Sequence, residues 1–97
     1  MITQLQTLID NCILNKDLST FVEKLKHIKT NNNLPRIQIQ CIHLLCDAIS
    51  WSPINTTINA LPLIKDNLNL LFKENFTRDD ASKFRRFLGK LGMNLVP

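Results

Sequence analysis

Glycine is nearly missing from this chain of 97 residues: two are present, Gly89 and Gly92, both close to the C-terminus. Hairpins built on tight turns and glycine-rich phosphate loops both need glycine at fixed positions, so neither has its material here. Tyrosine is absent and tryptophan occurs once, at Trp51, which leaves little for a platform that stacks on bases. Acid is scarce too. Two glutamates and six aspartates are spread singly except for Asp79-Asp80, so the spacing offers no second carboxylate pair for acid–base work. There is no H-E-x-x-H, no G-x-S-x-G and no Cys-x-x-Cys, the patterns that would announce a metalloprotease, a hydrolase elbow or a redox pair. No run approaches the roughly 18 apolar residues of a membrane span, and the N-terminus lacks a basic segment followed by an apolar one. An intracellular protein is expected, with cytoplasm and nucleus not distinguished.

What is present is enough for a core. Hydrophobic residues make up 44% of the chain, near the globular average and against disorder. A chain of this length holds one domain, 1–97, and Met1 reads as a natural start. Cys12, Cys41 and Cys46 are odd in number and fall at apolar helical positions, where free cysteine behaves as a small hydrophobe. Reduced, structurally silent thiols are expected. Asn55-Thr56-Thr57 and Asn75-Phe76-Thr77 match the glycosylation acceptor pattern, which in an asparagine-rich chain without a secretory signal reads as chance.

Periodicity points to helices throughout. Ile2, Leu5, Leu8, Ile9, Cys12 and Ile13 recur at three- and four-residue steps. A second helix is expected over about 17–29, with Leu18, Phe21, Val22, Leu25 and Ile28 on one face. Ile37, Ile39 and Cys41 alternate with glutamines in the manner of a strand, but the continuation decides for a helix. Ile37, Cys41, Leu44, Leu45 and Ala48 form one stripe, and Ile39, Ile42, Cys46 and Ile49 form a second beside it. An element apolar on so much of its circumference belongs at the centre of a bundle, so a central buried helix is placed near 35–50.

Ser52-Pro53 reads as a capping serine with proline at the first helical position. Ile54, Ile58 and Leu61 then give a short helix that should end or kink at Pro62. Leu63, Ile64, Leu68, Leu71 and Phe72 continue with helical spacing to about Lys73. The last helix is expected over 77–91, opened by Thr77-Arg78-Asp79-Asp80 and closed by Gly92, with Ala81, Phe84, Phe87, Leu88 and Leu91 inward. Trp51, at a helix end, is expected to pack. The apolar tail 93–97 is expected to pack as well. The expected fold is all-α: a compact bundle of five or six short helices. Ala60-Leu61-Pro62-Leu63-Ile64 and the leucines after it are loosely similar to helical repeats of the HEAT or armadillo kind over roughly 15 residues. A stack needs three or more such units and this length holds two, and its halves show no repeat.

Candidate chemistry is thin. Cys41 and Cys46 would lie about 140° apart around a helix, so with His43 they do not converge on a metal ion. His43 and Asp47 are one turn apart, where the carboxylate can orient the imidazole, and no serine or cysteine is placed beside them for nucleophilic work. No metal, cofactor or catalytic residue is therefore assigned, and the chain reads as a non-enzyme. The strongest feature is charge. Of a net +4, the stretch 78–90 carries +3, from five basic and two acidic residues. Lys83, Arg86 and Lys90 step by three and four and share a face, while Arg85 projects about 130° away. These three form the candidate partner-binding surface. The expected function is that of a helical protein–protein interaction module with an adaptor, regulatory or assembly role, including association with its own copies. The alternative is a small nucleic-acid-binding or regulatory protein using the basic C-terminal helix.

Overall fold

The computed structural model describes residues 1–31 and 33–95 and arranges them as six α-helices. α1 (Ile2–Asn15) and α2 (Ser19–Asn31) pack against each other across a short link, which makes them an antiparallel pair. Lys16 takes the left-handed conformation, φ 54°, at the end of α1 and returns its N–H to the Cys12 carbonyl. Asp17 stays outside α2, later by two residues than the expected start. Its carboxylate accepts from the Ser19 N–H at 3.0 Å and from the Ser19 hydroxyl at 2.7 Å. The hydroxyl first and the N–H second hold the Asp17 carboxyl below its ordinary range.

α3 (Arg36–Trp51) sits at the centre, packed on α2, α5 (Leu68–Leu71) and α6 (Arg78–Lys90). Cys41, Ile42, Leu45, Cys46, Ala48 and Ile49 are buried, and Ile37, Ile39 and Leu44 are half-buried, so both apolar stripes find neighbours. Pro35 stands at the cap rather than inside the helix, and its carbonyl accepts from the Gln38 and Ile39 N–H groups. Gln38 is buried despite its polarity. Its amide donates to the Leu71 and Lys73 carbonyls at 3.2 and 3.0 Å, capping the exit of α5 from the side.

The expected break at Pro62 does not occur there. α4 (Ile54–Asp66) continues through the proline and ends at Asn67 instead. Pro62 stands on the exposed side, while Ala60, Leu61 and Ile64 around it are buried. Packing on both sides of the proline holds the helix although the ring removes one backbone bond. The Asn67 side-chain amide donates to the Leu63 carbonyl at 2.9 Å where the ladder stops, and the single turn of α5 follows. α4 packs on α1, where Lys65 meets Asp10 at 2.8 Å. Ser52 does not cap α4 either: Pro53 occupies the cap position, and the Ser52 hydroxyl instead accepts the Asn94 N–H at 2.8 Å.

One expected packing is reversed, that of Trp51. Trp51 is 64% exposed and Ile54 53% exposed at the corner between α3 and α4. The buried face of α4 is Thr57, Ala60, Leu61 and Ile64, so its first turn points Ile54 to solvent. The radius of gyration is 12.3 Å, against about 12.5 Å for a compact chain of this length.

Candidate partner-binding surface

α6 is built from its ends. Thr77 caps it: its hydroxyl accepts the Asp80 N–H at 3.2 Å, and the Asp80 carboxylate accepts the Thr77 N–H at 2.9 Å, which closes a capping box. Asp80 is buried and also takes the Lys73 ammonium at 3.2 Å, tying the loop after α5 to the helix. The Thr77 N–H, chiefly, holds the Asp80 carboxyl below its usual range, with Lys73 and the Thr77 hydroxyl adding to it. At the far end Gly92 has φ +79°, its N–H reaches the Gly89 carbonyl and the Met93 N–H reaches that of Leu88. These two bonds are the Schellman pattern, with buried Met93 and Leu88 as its hydrophobic contact. Asn94 then fastens the tail to the α3–α4 corner, donating from its side chain to the Trp51 carbonyl at 3.0 Å. Met93 is buried and Leu95 half-buried, as expected for the tail; Val96 and Pro97 lie outside the described residues.

Between these ends Phe84 and Leu88 are buried, and Ala81, Phe87 and Leu91 are half-buried. The helix therefore points its expected face inward and leaves its cations in solvent. Lys83, Arg86 and Lys90 are all exposed along one flank. Asp79 shares that flank and takes the Lys83 ammonium at 3.2 Å, an exposed pair one turn apart that lowers the ridge's net charge. Lys90 lines a shallow depression of about 370 Å³ with Leu91, the residue that caps α6, and Thr56, Asn59, Ala60 and Leu63 of α4. Leu63 is 49% exposed, so the ridge borders apolar surface.

Arg85 is on the other flank. It lines a trough of about 720 Å³ between α3 and α6, with Ser82 and Ala81 beside it and Ile37, Cys41 and Leu44 across from it. His43 and Asp47 edge the same trough and are joined at 3.1 Å. The Lys29 ammonium of α2 lies 3.2 Å from His43 Nδ1. An ammonium can only donate, so Nδ1 accepts and Nε2–H is given to Asp47. Both ring nitrogens are thereby engaged. A third groove, about 700 Å³ between α1 and α2, is lined mainly by threonines and charged side chains.

Burial pushes the thiols of Cys12, Cys41 and Cys46 up, away from the reactive thiolate. All three are free and buried. Among the described residues no three His, Cys, Asp or Glu side chains gather as they would around a metal ion, and no helix is long and apolar enough to cross a membrane. The chain matches no family model, no curated protein and no solved structure among those compared with it.

Proposed function

We propose that the chain is a non-enzymatic helical module that binds an acidic surface of another protein through Lys83, Arg86 and Lys90. The observation that carries the reading is the meeting of this ridge with exposed apolar surface: Lys90 shares its depression with Leu63 and Leu91. Charge beside apolar area is what a protein interface needs, the first to steer and select, the second to be desolvated. The non-enzymatic part is supported by a histidine with both nitrogens occupied and by thiols held protonated in the core. Three buried free cysteines also fit work in a reducing, intracellular compartment. Association with a second copy is one form of the same reading.

Nucleic acid is the second reading, favoured by one observation: Arg78, Lys83, Arg85, Arg86 and Lys90 are exposed around α6, opposed at the surface by Asp79. Phe84 and Phe87 serve the core rather than stacking. Capture from native extract, with and without nuclease, by the chain and by its triple Lys83→Gln, Arg86→Gln, Lys90→Gln variant separates the two. A nuclease-resistant protein caught by the chain and lost by the folded variant is expected. A nuclease-sensitive catch, with a salt dependence that falls by roughly two to three in log–log slope in the variant, moves the reading to nucleic acid. Equal capture by both forms makes the ridge a solvated face.

A further inference from the structure

The trough between α3 and α6 lies on the opposite flank of α6 from the ridge, and its chemistry is different. Ile37, Cys41 and Leu44 run along α3 at steps of four and three, two helical turns or about 10 Å of apolar floor. Ala81 faces them from α6, and its small side chain leaves the trough open in the middle. On the α3 edge the Asp47 carboxylate accepts from His43, which accepts from the Lys29 ammonium of α2, so one negative and one positive charge offset each other along that chain. The α6 edge carries Arg85, whose guanidinium has no carboxylate within ion-pair reach among the described residues. The floor therefore asks for an apolar stripe and the edge for a carboxylate.

We infer that this trough seats an amphipathic helix of a partner protein, apolar on the face turned inward and acidic along the edge that meets Arg85. A helix in such a groove reads out as anchors at i, i+3 or i+4 and i+7, the spacing of the floor itself. A guanidinium pairs with a carboxylate through two parallel hydrogen bonds, which fixes the direction in which the helix lies. A second copy of this chain is a poor occupant. Its eight carboxylates are scattered, Asp10, Asp79 and Asp80 are already paired with lysines, and Asp47 accepts from His43. Nucleic acid fits no better, since the lining offers one cation, one carboxylate and no Phe, Tyr or Trp ring. The inference does not rest on the ridge.

Two designed helical peptides of about 18 residues test it, each long enough to hold a helix and carrying a leucine stripe, one flanked by glutamate and the other by lysine. Each is titrated onto the isotope-labelled full chain. The glutamate peptide is expected to shift amide signals of residues 37–47 and 81–85, and the lysine peptide to leave them in place. Arg85→Glu, at an exposed position, is expected to weaken the glutamate peptide by about tenfold and to turn the preference towards lysine. The triple variant of the ridge should bind as the unaltered chain does. Ala81→Leu should fill the floor and abolish binding; if that variant does not fold, the reversal at Arg85 decides. Shifts mapping to α4 or to the α1–α2 groove, equal binding of both peptides, or no shift at millimolar peptide overturns the inference. Signals of the trough that move with protein concentration alone overturn it in favour of a second copy.

Discussion

Asp80 is a side chain whose identity as a carboxylate matters twice, once as the return half of the capping box and once as the anchor for Lys73. Asparagine could fill the first role in part and cannot fill the second. Asp80 and Asp17 both have carboxyls depressed by folding, so the stability they add is present above their unfolded values near pH 4 and is lost as pH falls through their native ones. Thermal melts between neutral and acid pH should show that loss, with Asp80→Asn flattening the acid limb; an identical limb in the variant would contradict it. Thr77→Ala, which removes the forward half of the box, should cost about 1 kcal/mol by denaturant titration. Trp51 gives a different kind of check. With its side chain largely in water, the folded chain should emit as a solvated indole and be quenched by acrylamide, and a blue-shifted, protected emission would place the ring in the core after all. Aromatic residues of this exposure are frequent anchors at interfaces; no local pattern signals it, because a tryptophan at a helix end reads as one that packs.

At the scale of elements, periodicity reported burial well where a helix has neighbours all round. Both stripes of α3 are buried or half-buried as the spacing of Ile37 to Ile49 implied, and Leu45, fully enclosed, should lose about 2–5 kcal/mol on change to alanine, measured by denaturant titration. Periodicity failed where a local rule met tertiary packing. Pro62 reads locally as a stop, yet Ala60, Leu61 and Ile64 are enclosed by the core and carry α4 past it. Replacing the proline by alanine returns a helical N–H and should raise stability by about 1–3 kcal/mol, less than the full intrinsic difference because the unfolded chain also gains freedom. A neutral or destabilising result would mean that the ring itself is packed. Gln38 was missed for the complementary reason: a buried glutamine has no periodic signature, and its partners, the carbonyls of Leu71 and Lys73, are distant in sequence. The ridge of Lys83, Arg86 and Lys90 was legible because three- and four-residue steps place them on one face of any helix. The troughs on either side were not, since each is made by two helices whose pairing no local pattern encodes.

Across the whole molecule, accessible surface is 5849 Å², close to the roughly 5,700 Å² expected of a compact monomer of this mass. The core is thus closed without help from its most basic helix's outward side. Changing Lys83, Arg86 and Lys90 together to glutamine should leave the melting temperature nearly unmoved, since exposed charges of this kind alter stability by about 0.5 kcal/mol or less; a fall of many degrees would give the ridge a structural role. Two fastenings together have a wider effect. Asn94 grips the α3–α4 corner at one end of α6, and Asp80 grips Lys73 at the other. A helix held at both ends cannot roll about its axis, so its two flanks keep a constant angle to each other. Ligands arriving on the two sides would then ignore one another energetically: each affinity should be the same with the other site filled or empty, and the coupling factor between them close to one.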